Sequence, residues 1–213
     1  MYKLHCFSQS GNAYKVAFYL RAARLDWEPV FVDFMNGATR TPEWRQQHNE
    51  MGEVPVLEFG SRQLTQTGVI LTYLADTHGQ FGGADADQRL EILRWILFDN
   101  HKFTSYMATY RFLKSFGPSA PDPTLMAWLR GRLDAAFKVV NLHLAERDYM
   151  VGTGPTIADF SLCGYLFYPL EESDYELPER FAHIHAWRER LRQLPGWADP
   201  YDILPGARIL PKW

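Results

Sequence analysis

Residues 2–7 alternate in polarity: Leu4 and Cys6 fall on one face, Lys3 and His5 on the other. That is the period-two pattern of a half-buried strand. Ser8–Gly11 reads as a turn, and a helix follows over about 12–24, where Val16, Leu20 and Ala23 make one apolar stripe. Val30 and Val32 mark a second short strand. Thr41, Pro42 and Glu43 start another helix, with Thr41 as N-cap and Pro42 in the first helical position. Val54–Phe59 and Arg62–Gln66 flank Gly60–Ser61, a Gly-first two-residue loop that suits a type II′ hairpin. A third helix is expected over 67–77, with Val69, Ile70, Tyr73 and Leu74 as its apolar side.

The predicted order is therefore β-α-β-α-β-β-α in under 80 residues, a small mixed sheet with helices packed on it. The Gly-, Ala- and Asp-rich stretch 79–87 reads as a linker. Strand signals then vanish, and helical periodicity dominates 88–114, 122–146, 156–168 and 179–194. The expected domains are 1–78, α/β, and 88–213, all-α with a Pro-containing irregular tail. Thr156 with Asp159 three residues on forms a capping box at the start of a buried helix, with Pro155 and Phe160 as a hydrophobic staple.

Composition narrows the function classes. The chain has 213 residues, a net charge of −3 and 15% aromatic residues. A slightly acidic chain lacks the basic surface of a nucleic-acid binder. No 18-residue apolar window occurs, so no membrane span is expected, and the N-terminus shows no signal-peptide h-region. Two cysteines, Cys6 and Cys163, make no disulfide framework and suit a reducing cytoplasm. No Cys or His cluster has zinc spacing, so no metal is expected. His183 and His185 are too closely spaced to meet on a helix. Gly152 and Gly154 lack the third glycine and preceding strand of a dinucleotide fingerprint.

Four positions carry candidate chemistry. Pro55 sits where a strand is expected yet cannot donate to a ladder. It is either an edge-strand proline without a role, or part of a cis Val54–Pro55 bond that turns the Val54 amide and carbonyl toward an extended ligand. Gln66 and Thr67, at a helix start, offer a carboxylate site or a plain cap. Ser10 and Asn12 lie in the turn before the first helix, where hydroxyl, amide and backbone N–H groups stabilise an anion or simply cap the helix. Phe103, Tyr106 and Tyr110 form an aromatic stripe that reads as core or as a pocket wall.

Taken together, Ser10-x-Asn12-x-x-Lys15-Val16, Gly52-Glu53-Val54-Pro55-Val56-Leu57, Leu64-Thr65-Gln66-Thr67-Gly68-Val69-Ile70-x-x-Tyr73-Leu74 and Thr156-x-Ala158-Asp159 make the chain resemble the cytosolic glutathione transferases over nearly its whole length. The resemblance implies a thioredoxin-like N-terminal domain that binds glutathione as co-substrate, a helical domain that shapes an electrophile pocket, and a cytoplasmic homodimer. It assigns Val54, beside Pro55, to the cysteinyl backbone of glutathione, and Gln66 and Thr67 to its γ-glutamyl end. Aligned on Lys15-Val16, Ser10 is the thiol-activating residue, with Asn12 beside it. This pair resembles bacterial members, several of which act on disulfides or peroxides. Tyr2 lies too early to match the tyrosine classes, and Cys6 too deep in the strand to match the cysteine classes.

Glu53 departs from the family pattern, which places Lys or Gln before Val-Pro to meet the glycine carboxylate. Arg40, ahead of Arg45 and His48, is expected to supply that contact. The stripe of Phe103, Tyr106 and Tyr110 is implied as the electrophile wall, and Asp99 as a reach to the γ-glutamyl amine of a neighbouring subunit. The expected function is glutathione transfer to a small hydrophobic electrophile. The alternatives are disulfide reduction or peroxide reduction on the same scaffold, and glutathione binding without turnover.

Overall fold

The computed structural model describes residues Met1–Trp213 as two compact units. The first comprises Met1–Gly82 with Pro195–Arg208, the second Gly83–Leu194 with Ile209–Trp213. The tail thus divides between the units, which its sequence does not announce.

In the first unit the order is β1 (Tyr2–Cys6), α1 (Gly11–Ala22), β2 (Trp27–Phe31), α2 (Pro42–Gln47), β3 (Val56–Phe59), β4 (Arg62–Thr65) and α3 (Thr67–His78). This is the thioredoxin-like βαβαββα order. The four strands form one sheet in the order β2-β1-β3-β4. β1 pairs in parallel with β2, whereas the β1–β3 and β3–β4 pairs are antiparallel. Leu4, Cys6 and Leu57 are fully buried on one sheet face, which α1 and α3 cover.

The alternating strand, the Thr41 cap with Pro42 at the helix start, and the hairpin loop all form as their residues dictate: Thr41 Oγ1 accepts from the Trp44 amide at 3.2 Å. Two helices differ from expectation. α1 is buried on almost every side, Tyr14 and Lys15 included, because tail residues as well as the sheet and α3 pack on it. Tyr14 Oη donates to the Ala198 carbonyl at 3.0 Å, and Arg21 Nε to that of Gly196 at 2.6 Å. Gly196 has φ +78°, and a Cβ there would stand 2.7 Å from the Arg21 backbone, so only glycine allows this approach. On α3, Ile70, Leu71 and Leu74 face inward, but Val69 is 53% exposed.

The second unit is helical: α4 (Ala86–Phe98), α5 (Thr104–Ser115), α6 (Pro123–His143), α7 (Ile157–Leu162), α8 (Leu177–Arg180) and α9 (Ala182–Arg192). A further short helix, α10 (Pro200–Ile203), belongs to the first unit, within a tail expected to be irregular. The continuous helix expected over 88–114 is broken by a π-helical turn, Asp99–Phe103. The extra residue turns Asp99 and Thr104 inward together: Asp99 accepts from Thr104 Oγ1 at 2.6 Å and from Ser161 Oγ at 2.7 Å. α7 stops six residues early, at Leu162, where Gly164 is a poor helix former and the chain turns, the Leu166 amide donating to the Cys163 carbonyl at 2.9 Å. The capping-box residues meet as expected, with the Thr156 amide donating to Asp159 at 2.8 Å. The Asp159 carboxylate also gathers the Met150 amide and the Trp187 indole, knitting three segments together.

No helix is long and apolar enough to cross a membrane.

Candidate functional site

The strand register brings three of the predicted segments to one end of the sheet. His5 of β1 pairs with Val56 of β3, and Val56 pairs with Thr65 of β4. The turn after β1, the Val54–Pro55 step before β3 and the Gln66–Thr67 step after β4 therefore emerge together. Parallel pairing of Cys6 with Phe31 adds the segment after β2, and Phe7 stacks on Phe34 with ring centroids 4.6 Å apart. Such a cluster of loops at the carboxyl ends of parallel strands is where open α/β sheets hold ligands.

Ser10 is the N-cap of α1. Its backbone is extended, and its hydroxyl oxygen accepts from the Ala13 amide at 3.1 Å. That bond occupies a lone pair and leaves the hydroxyl proton available for an anion. No acidic residue lies in the first turn, so nothing cancels the positive end of the helix dipole. Ser10 is buried and Asn12 half-buried. The tail closes over the neighbouring residues: Gln9 Nε2 donates to the Ala207 carbonyl at 2.8 Å, and Ser8 Oγ at 3.3 Å.

The Val54–Pro55 peptide is cis. Val54 precedes β3, and its backbone makes no ladder bond. The Asn49 side chain fixes the approach by donating to the Glu53 carbonyl at 2.9 Å and accepting from the Met51 amide at 3.1 Å. Gly52 has φ +70°, and a Cβ there would stand 2.8 Å from the Thr39 carbonyl.

Gln66 caps α3 with φ 65° and ψ 114°, a conformation L residues rarely adopt. Backbone outliers of this kind concentrate at ligand sites. Its Nε2 donates to Glu53 Oε2 at 3.0 Å. Thr67, the first residue of α3, is buried. The Glu53–Gln66 bond, which no sequence signal indicated, turns the Glu53 carboxylate toward the Gln66 side of the site. Arg40 ends a 3₁₀ turn, Ala38–Arg40, and is exposed, with no ion pair. Arg45 donates instead to the Glu50 carbonyl at 2.7 Å, and His48 packs on His5.

In the helical unit, Phe103 is buried and stacks on Phe137 at 4.3 Å, and Tyr110 is buried with its hydroxyl accepting from Arg130 Nη1 at 3.2 Å. Both belong to that unit's core. Tyr106 is half-buried, edge-on to Trp128, and its hydroxyl accepts from Arg132. The expectation for Asp99 is corrected. It is fully buried within its own unit, with Thr104 and Ser161 hydroxyls on its two oxygens, and so has no surface to offer a neighbouring subunit. Tyr2 is engaged elsewhere: its hydroxyl lies 2.8 Å from His78 Nε2. Cys6 is core, and burial pushes its thiol up to about 12.

A capped helix N-terminus beside a cis Val-Pro step, at the end of a thioredoxin-like sheet, defines a ligand-binding end of the fold, and comparison with known proteins specifies the class. The N-terminal domain model of the glutathione S-transferases matches residues 2–76, and the C-terminal domain model matches residues 103–195. The chain belongs to the glutathione S-transferase family. It is 27% identical over 205 residues to glutathione S-transferase F14 of Arabidopsis thaliana, covering 92% of this chain and 80% of that one. A crystal structure from Rhodopseudomonas palustris, described as a possible glutathione S-transferase, superposes with a TM-score of 0.87 at 31% identity, covering 98% and 93% of the two chains. The transferase URE2P8 of Phanerochaete chrysosporium, solved with oxidized glutathione, shares the fold with a TM-score of 0.85 at 22% identity, over 94% and 93%.

Proposed function

We propose that this chain is a glutathione transferase that holds the glutathione thiol over the N-terminus of α1 and stabilises it as thiolate for attack on a small hydrophobic electrophile. The observation that carries the reading is Ser10, which accepts from Ala13 and so keeps its own proton to give to sulfur. Asn12 supplies a second donor. A helix terminus contributes about 0.3–2 kcal/mol, and a hydrogen bond to a charged group about 1.5–3 kcal/mol. At about 1.36 kcal/mol per unit, the two lower a thiol pKa by roughly one to four units. From an ordinary thiol value near 8.5, that raises the thiolate fraction at neutral pH.

Val54, beside Pro55, pairs with the cysteinyl backbone of glutathione, and Gln66 with Thr67 takes the γ-glutamyl end. Glu53 has the wrong charge for the glycine carboxylate but the right one for the γ-glutamyl ammonium, and its bond to Gln66 points it that way. Arg40 takes the glycine carboxylate, since Arg45 and His48 are engaged elsewhere. Tyr106 is the aromatic residue of its stripe with surface to offer an electrophile. Leu90, Leu93 and Leu97 expose an apolar stripe on α4, at 66, 48 and 59%, which suits a homodimer. A cytoplasmic, detoxifying role follows from the same reading.

Turnover of aromatic halides, disulfides and peroxides with glutathione tests the proposal. Transfer to a halide that falls with Ser10→Ala supports it. Turnover of disulfides or peroxides alone would replace it with a reductase, and glutathione binding without any turnover would replace it with a carrier.

A further inference from the structure

Beside α2, His5, His48 and Glu58 bring three ligating side chains together from β1, the residue that ends α2, and β3, their candidate donor atoms all within 4.8 Å of one another. We propose that these three residues form a binding site for one divalent transition-metal cation of the zinc type. The cluster lies outside the residues assigned to glutathione.

Two imidazoles and one carboxylate form the donor set that zinc and its neighbours favour. Zinc holds nitrogen and oxygen ligands at about 2.0–2.2 Å, which places tetrahedral ligands roughly 3.3 Å apart. His5 Nε2 and Glu58 Oε2 already stand 3.1 Å apart. His5 is nearly inaccessible, which fixes one ligand, while His48 and Glu58 are half-buried, so rotation of their side chains closes the remaining distance. The Trp44 ring packs against both imidazoles, with centroids 5.9 Å from His5 and 4.5 Å from His48, and walls one side of the site. The two imidazole rings lie 4.8 Å apart, a pairing that a shared cation satisfies. Gln63 places its side-chain amide 3.3 Å from His48 Nδ1 and 3.5 Å from Glu58 Oε2, a neutral neighbour to two of the ligands, and water completes the coordination. Lys3 approaches only the other Glu58 oxygen, at 3.9 Å, and is itself shared with Glu28. Sequence spacing gave no hint, because the residues at 5, 48 and 58 meet only through strand pairing and the packing of α2.

The test is titration of the metal-free full chain with zinc chloride against a chromogenic chelator. Three variants accompany the wild type: His48→Gln, Glu58→Gln and, as a control on another surface, His185→Gln. Circular dichroism verifies that each is folded. Both site variants alter half-buried residues, so the result does not depend on replacing buried His5. The proposal expects one zinc per wild-type chain, affinity at least tenfold weaker in each site variant, and wild-type affinity in the control. No saturable binding would overturn it. So would equal stoichiometry and affinity in the wild type and both site variants.

Discussion

Replacing Asp159 with asparagine tests the reasoning about the helical unit most severely. Oδ1 accepts from the Met150 amide at 2.9 Å and the Trp187 indole at 2.8 Å. Oδ2 accepts from the Thr156 amide at 2.8 Å and the Thr156 hydroxyl at 3.0 Å. The residue and its partners are buried, so water cannot substitute. In Asp159→Asn, either amide orientation turns an NH2 group toward two donors. The Thr156 hydroxyl can rotate to accept, but a backbone amide or the indole cannot. At least one buried donor is left unsatisfied, at about 1–3 kcal/mol, and the charge-assisted strength of the other bonds falls. The expected loss is about 2–4 kcal/mol, or roughly 5–15 °C in Tm for a chain of this size. Urea unfolding followed by Trp fluorescence and by circular dichroism measures it. A loss below about 1 kcal/mol would show that the carboxylate does not hold these segments together.

Three further outcomes follow from the same structure. Arg111→Leu strands the buried Glu172 carboxylate, to which Arg111 Nε donates at 2.8 Å, and should cost about 3–5 kcal/mol by chemical denaturation; the double variant Arg111→Leu/Glu172→Leu should recover most of the loss. Despite desolvation, bonds from Arg180 and Tyr175 hold the Asp134 carboxyl below its ordinary 3.8, and bonds from Arg94 and Trp95 hold Glu91 below 4.5. Because both folded values are depressed, their stabilisation is complete above the ordinary values and is lost as pH falls through the folded ones. Unfolding free energy should therefore drop between about pH 5 and 2, and less steeply in Asp134→Asn. Cys6 and Cys163 are both buried, so a thiol reagent at pH 8 should label neither in the folded chain and both after denaturation.

What was legible in the sequence was local. Alternation over residues 2–7, the Thr41 cap before Pro42, the Gly60–Ser61 turn and the awkward Pro55 each carry their structure within a few residues. The meeting of the Ser10, Val54 and Gln66 segments followed from the element order, because strand pairing alone brings those ends together. Features made by distant contacts stayed hidden. The π turn at Asp99 depends on Ser161, 62 residues on. The full burial of α1 depends on a tail almost 180 residues away in sequence. The Glu53–Gln66 bond joins side chains 13 residues apart, on either side of the β3–β4 hairpin. Periodicity also could not tell Phe103 and Tyr110, which pack inward, from Tyr106, which keeps some surface.

The central claim is that the Ser10 turn stabilises a thiolate, and it is tested most directly by titrating the ultraviolet absorbance of the thiolate of bound glutathione in the wild type, Ser10→Ala and Gln66→Ala. The account predicts a bound pKa at least one unit below that of free glutathione. In Ser10→Ala that pKa should rise by about one to two units, the worth of one hydrogen bond to an anion, with little change in affinity at a pH where the thiol is protonated. Gln66→Ala should weaken binding and leave the pKa in place. An unshifted pKa in the wild type, or a Ser10→Ala variant that loses affinity while keeping the shift, would contradict it.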